Sequence, residues 1–349
     1  MAEPIRLFQN DRLWAQMGAE IQELTNQSHA LGQAQNGNIT RLLEQTLATR
    51  FRRRHCITTA CGTDALVLAI SALNLPQHTP IAVSNYTFTA TAHAVARAGH
   101  QVVPVDVDPQ YCIDAAGIKD VGAIVPVDLF GNLSDHAALE QQGVPIIVDA
   151  AQSFESQDHH GKFSAEYGVA ACVSFSPSKT ISSWGSGGAV LTDSDAIADY
   201  VRRSRLHGKL RNDDMAIVPG LNSMMSSMEC ASVLTGLKYA DKAYQRRYDI
   251  AQYLIAQSRW PTAIDFTRVK NHTYSKLVFQ SDDRASVIKK FKDQAIDCVV
   301  HYNNLVSDEP LYHGPEQYRS RNLRDISFTV PNQHTLTDAE VDCIAQGLK

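Results

Sequence analysis

Lys179 stands in the stretch "SFSPSKTISSWGSGGAVLTD" (Ser174 to Asp193), among small hydroxylated residues and just ahead of a glycine cluster and an apolar run. A lysine there is a solvated charge, the base of a Ser-x-x-Lys hydrolase, or a covalent anchor for a cofactor. Upstream, "VPIIVDAAQSF" closes an apolar run on Asp149 and supplies Gln152 three residues later. Further upstream, "TTACGTDALVLAI" offers a small, hydroxyl-bearing turn that passes directly into a helical pattern. The N–H groups of Gly62, Thr63 and Asp64, with the Thr63 hydroxyl, could hold a phosphate at the positive end of that helix. The same turn could equally be an ordinary Thr or Asp N-cap, and a lone strand-end aspartate is commonly a turn residue.

Taken together, the three stretches match what pyridoxal phosphate requires. It needs a lysine for its Schiff base, an acid to keep the ring nitrogen protonated, and donors for its phosphate. Each role has its own candidate. The hydrolase reading would make Ser176 a nucleophile activated by Lys179, but it also needs Ser-Asp-Asn and Lys-Thr-Gly elements, of which "KTI" is the nearest thing present. "GSGG" precedes a strand pattern and not a helix, so it is no dinucleotide fingerprint. His159, His160 and the other histidines lack the spacing of metal ligands, and no metal is expected.

For these residues to meet, they must sit at the ends of neighbouring strands. From about Thr58 to Thr192 short apolar runs alternate with helical patterns: "PIAVSN", "QVVPVDV", "GAIVPVDLFG", "VPIIVDAAQ", "VAACVSFS" and "GGAVLTD" read as buried strands. Such alternation predicts an α/β layer with a mostly parallel central sheet, whose functional groups gather where strands end and helices begin. One or two long helices are expected from about Ser227 to Gln257. Beyond them "HTYSKLVFQ", "RASVIKKFKDQA" and "TDAEVDCIAQGL" indicate a smaller C-terminal α+β domain. The expected division is 1–240 for the large domain and 241–349 for the small one.

The chain has 349 residues and a formal net charge of -5, enough for a large core and without the basic excess that nucleic-acid binding needs. The short "RFRRRH" at Arg50 to His55 reads as a solvated helix end. Seven scattered cysteines with no Cys-x-x-Cys pair read as reduced thiols of a cytoplasmic protein. "MAEPIRLFQNDRLW" lacks the order of a signal peptide, and "ALVLAISALNL" is too short to span a membrane.

The order of "TTACGTDALVLAISAL", "VSNYTFTATAHAVARAGHQVVPVDVDPQYCID", "AIVPVDLFGN", "IIVDAAQSF", "SFSPSKTISSWGSGGAVLTD", "LHGKLR", "GLNSMMS", "HYNNL" and "FTVPNQHTLTDAEVDCI" resembles the DegT/StrS-type family of pyridoxal-phosphate nucleotide-sugar aminotransferases. The resemblance runs from about Ile39 to the end. It implies the aspartate-aminotransferase fold, fold type I, and a homodimer with shared active sites. It makes Lys179 the Schiff-base lysine, Asp149 the partner of the pyridine nitrogen and Gln152 a contact to the ring hydroxyl. Phe88 would stack on the ring; Gly62, Thr63 and Ser174 would bind the phosphate, joined by Asn222 of the neighbouring subunit. His301 and Tyr302 match a His-Tyr pair on the sugar side. The implied chemistry moves an amino group from L-glutamate, by way of pyridoxamine phosphate, to a keto group of a nucleotide-linked sugar in amino-sugar or polysaccharide biosynthesis.

Two departures fall on the substrate side. Where the family commonly has arginine and glutamate after its Gly-Tyr-Asn motif, this chain has Met224 and Ser227, and "NNLVSDEPLY" replaces a proline-rich stretch carrying a second histidine. Lys209, Arg211, Arg319, Arg321 and Arg324 could bind a nucleotide diphosphate or be solvated charge. Two other readings keep the cofactor: amination of a free cyclitol ketone such as an inosose, and a regulatory protein that binds the cofactor without turnover. Some relatives carry histidine at the lysine position and run dehydrations; Lys179 argues against that branch.

Overall fold

The computed structural model describes residues 4–211, 214–312, 314 and 317–349. Two helices, α1 (Asn10–Ala30) and α2 (Asn38–Arg50), lead into β1 (His55–Thr59) and α3 (Gly62–Ser71). Then follow β2 (Pro80–Ser84), α4 (Ala90–Arg97), β3 (Gln101–Val105), β4 (Ala123–Val125), α5 (His136–Glu140), β5 (Ile147–Asp149), β6 (Ala170–Ser174), β7 (Gly188–Thr192) and α6 (Asp195–Ser204). The long α7 (Ser227–Gln257) precedes β8 (Leu277–Gln280), α8 (Arg284–Asp293), α9 (Tyr318–Ile326), β9 (Ser327–Val330) and α10 (Asp338–Leu348).

Strands pair in the order β1-β7-β6-β5 and β3-β2-β4, and parallel bridges Ile124 to Ile146 and Val127 to Asp149 join the two sets into one sheet. Within this sheet β7 runs antiparallel to β1 and β6, and the other pairings are parallel. Alternation along each strand feeds two cores. On β5, Val148 joins the core that packs α1, α2 and α7, and Ile147 the core that packs α3, α4 and α6. With both faces covered the strands are apolar throughout, which is why they read as continuous runs. A separate core, built on β8 and β9 with α8, α10 and the far end of α7, fills the C-terminal part.

All six expected strands form, whereas β1 had no counterpart in the sequence reading. The Ser227 to Gln257 segment is one unbroken helix that crosses residue 240, started by a capping box in which Ser226 and Glu229 satisfy each other's N–H groups. One expectation is corrected. "RFRRRH" is not simply solvated, because Arg53 is buried: its guanidinium bonds the Ala165, Tyr167 and Gly168 carbonyls and pairs with Asp193 at 2.8 Å. Among the described residues no helix is long and apolar enough to cross a membrane.

Candidate active site

Parallel pairing of β5 with β6, in the register Asp149 opposite Cys172, brings the two strand ends together as their sequence order suggested. Asp149 ends β5, and the turn after β6 carries Lys179, whose own N–H bonds the Ser176 carbonyl. The C-terminal end of β1 turns into α3 at the same edge. A cavity of about 410 Å³ opens there, lined among others by Gly62, Thr63, Phe88, Asp149, Gln152, Ser174, Lys179, His301 and Tyr302. Ligands of open α/β sheets bind at this edge because helix starts and strand ends present their free polar groups to it.

The N-terminus of α3 is shaped for an anion. Its cap is neither Thr63 nor Asp64 but Cys61, whose Sγ accepts the Asp64 N–H at 3.4 Å. Gly62 is obligatory by space, since a Cβ there would lie 2.8 Å from the Ser174 Cβ and 3.1 Å from its Oγ. Gly188, the last glycine of the cluster after Lys179, is required by similar crowding. A Cβ on Gly188, at the start of β7, would stand 2.5 Å from the Cys61 carbonyl carbon and 2.6 Å from the Gly62 nitrogen. Bare backbone on both sides thus lets the start of α3 pack closely at the cavity wall, where Gly62 and Thr63 line it.

Asp149 is 6 % exposed. The Thr91 hydroxyl donates to its Oδ2 at 2.7 Å, and the Ala151 N–H to Oδ1 at 3.2 Å. Burial pushes the carboxyl up from its ordinary range, opposed by those two donors and by the Lys179 charge. Lys179 is displaced the opposite way: burial lowers its ammonium, and Asp149 partly restores it. Each group therefore lies nearer neutrality than in water, the condition under which a proton is passed readily.

Gln152 links the strand ends to the C-terminal part. Its Oε1 accepts the Phe130 N–H at 3.0 Å, and its Nε2 donates to the Tyr302 hydroxyl at 2.8 Å. Tyr302 in turn lies 5.7 Å, ring to ring, from Phe88, which lines the cavity and is more than half exposed. His301 shares its Nδ1 with the Thr329 hydroxyl at 3.0 Å, and burial first, then Lys276 and Lys179, pull it down to about 3, so its ring is neutral at pH 7.

Asn222, Lys209 and Arg211 do not line this cavity. Asn222 is exposed and bridges to Leu206 beside the end of α6. Arg211 donates its backbone N–H to Asp214. Of the other cations, Arg319 pairs with Asp114, Arg321 with Asp308, and Arg324 with Asp308 and Asp325. Phe8, Cys61, Thr91 and Lys276 also line the cavity and are among the residues that the sequence does not single out. Among the described residues no group of three or more His, Cys, Asp or Glu could hold a metal ion.

The site fits pyridoxal phosphate on two features of its own: a cradle that any Cβ at position 62 would fill, and a buried carboxyl with no ion-pair partner among the described residues. Fold and site together define a pyridoxal-phosphate-dependent aminotransferase. The chain belongs to the DegT/DnrJ/EryC1/StrS aminotransferase family, whose model matches residues 15–349.

Among curated relatives, a Pseudomonas aeruginosa UDP-2-acetamido-2-deoxy-3-oxo-D-glucuronate aminotransferase is 32% identical over 280 residues, 77% of each chain. A family aminotransferase from Brucella abortus shares the fold with a TM-score of 0.92 at 24% identity, over 99% of this chain and 98% of that one. NtdA from Bacillus subtilis, solved with its cofactor PMP bound, superposes with a TM-score of 0.90 at 24% identity, over 100% of this chain and 85% of the other.

Proposed function

We propose that this protein transfers an amino group, with L-glutamate as donor, to the keto carbon of a nucleotide-linked sugar. The observation that carries the reading is the convergence of Lys179, Asp149 and the Gly62–Ser174 cradle on one cavity. Bound pyridoxal phosphate supplies the electron sink and carries the amino group between the two substrates. The Gly62 and Thr63 N–H groups, the Thr63 hydroxyl and Ser174 would hold its phosphate. Asp149 would keep the proton on the ring nitrogen, with the Thr91 hydroxyl favouring its ionised form and holding it in place. Gln152, fixed by the Phe130 N–H and Tyr302, would address the ring hydroxyl, and Phe88 would cover the ring. Lys179, with its ammonium already weakened by burial, moves the proton to and from the substrate carbon at its Nζ.

A keto-sugar acceptor is favoured by the Pseudomonas relative, whose name specifies a UDP-linked 3-oxo sugar. His301 and Tyr302 would bound the sugar. Lys209 and Arg211 would serve the nucleotide, and Asn222 the phosphate, only across a two-fold dimer, since all three stand outside their own chain's cavity. The division into 1–240 and 241–349 suits this reading, because Lys276, His301 and Tyr302 reach the cavity from the second part. Seven unpaired cysteines accord with a reducing, cytoplasmic compartment. The test is 2-oxoglutarate formation from L-glutamate in the presence of a panel of nucleotide-linked keto-sugars and free inososes. Turnover with a nucleotide-linked keto-sugar is expected; turnover with free inososes alone, or with none of the panel, refutes the acceptor assignment.

A further inference from the structure

The cavity contains a second lysine. Lys276 immediately precedes β8 and is 4 % exposed. Its Nζ donates to the Ser178 carbonyl at 3.1 Å and to its neighbour Ser275's carbonyl at 3.0 Å, and it lies 5.2 Å from the centre of the Phe8 ring. An ammonium has three N–H donors, and these carbonyls engage two. Among the described residues no carboxylate pairs with it. Burial first, and then the positive charges of Lys179 and Arg247, hold it well below the ordinary lysine range.

A buried amine with no carboxylate beside it is costly to keep charged, and a ligand that brings a negative charge into the cavity would favour its ammonium form. The phosphate of the cofactor already has the α3 cradle. What remains in the same cavity is the substrate, and the groups that enter such a site with a negative charge near the reacting carbon are carboxylates. We propose that Lys276 is the receptor for a substrate carboxylate, meeting it with its third N–H at the cavity wall beside the Ser176–Lys179 turn. The inference rests on the aminotransferase reading above. Two substrates can present this chemistry: the amino donor, through one of its acid groups, and a sugar oxidised to a uronate. Lys276 also braces the turn that carries Lys179, through Ser178, so a purely structural role is the alternative to be separated.

Calorimetry on the cofactor-loaded protein separates them with probes that are not turned over: UDP-glucuronate against UDP-glucose, and succinate against succinamide. In one of the two pairs the acid should bind wild type about 30-fold or more tightly than its neutral partner, the lower end of what truncating a buried charge pair costs. Lys276→Gln should abolish that preference and Lys276→Arg should retain most of it. The pair that responds names the source, sugar or amino donor. Absence of any acid preference in wild type, or its survival in Lys276→Gln, overturns the proposal. Equal weakening of acid and neutral probes also overturns it, since that is the signature of a brace alone. Failure of the functional reading shows elsewhere, as absent 2-oxoglutarate formation by wild type, whatever the probes do.

Discussion

Thr91→Val removes one hydroxyl from beneath the cofactor site and keeps the volume nearly constant. On the proposed mechanism Thr91 acts through Asp149, to which its hydroxyl donates, and so is a positioning residue. Its hydroxyl donates at 2.7 Å to a carboxylate that is 6 % exposed, and among the described residues the only other donor to that carboxylate is the Ala151 N–H at 3.2 Å. Hydrogen bonds to charged groups are worth about 1.5–3 kcal/mol, and at 1.4 kcal/mol per decade that corresponds to about 10- to 150-fold in cofactor affinity. The sign with pH follows from the direction of the shift. Burial already raises Asp149 and the Thr91 hydroxyl opposes it, so the variant carboxyl protonates at a higher pH than wild type. A neutral Asp149 cannot balance a protonated ring nitrogen, so the affinity deficit should widen as pH falls from about 9 to about 6. Absorbance titration of cofactor-free protein with pyridoxal phosphate across that range reads both quantities, with Asp149→Asn as the limiting case. Unaltered affinity and turnover for Thr91→Val at every pH would refute the assigned role.

Gly188→Ala would drive a methyl into the Cys61–Gly62 backbone, and overpacking of this kind costs about 1–3 kcal/mol; a lower melting temperature and weaker cofactor binding are expected, and normal values for both would contradict the cradle. Mixing Lys179→Ala subunits with Asn222→Ala subunits should restore part of the activity, since a dimer with shared sites then contains one site free of both lesions; verified exchange without recovery removes Asn222 from the partner's site. Glu340 is pulled down to about 2, chiefly by its hydrogen bonds to Arg12 and then by those to Thr337. A lowered acid stabilises above its unfolded value of 4.5 and loses that contribution as pH falls through about 2. Glu340→Gln should therefore cost about 1 kcal/mol at pH 7 after solvent screening, read by urea denaturation, and the deficit should vanish at low pH.

The sheet was legible because its strands are buried on both faces, so "VPIIVDAAQ" and "VAACVSFS" stand out as apolar runs with polar ends. Lys179, Asp149 and the Gly62 turn were legible for the same reason: parallel pairing puts the polar residue that closes each run at one edge. β1 was not, since "HCITT" is short and adjoins a basic run. Arg53 was misread because the carbonyls it ties down, from Ala165 to Gly168, lie over a hundred residues away in sequence. Lys276 in "HTYSKLVFQ" looks like a polar residue at the start of a strand, and nothing local reveals that its side chain shares a cavity with Lys179. Thr91, one of three threonines in "NYTFTATA", is distinguished only by its contact with Asp149.

Two lysines line the cavity, and on the proposed mechanism Lys179 alone anchors the cofactor. Borohydride reduction of the cofactor-loaded protein, followed by proteolysis and peptide mass spectrometry, tests it most directly. A phosphopyridoxyl group is expected on the peptide containing Lys179 and none on that containing Lys276, with Lys179→Ala folded but unlabelled. A label on Lys276, or labelling that persists in Lys179→Ala, would contradict it.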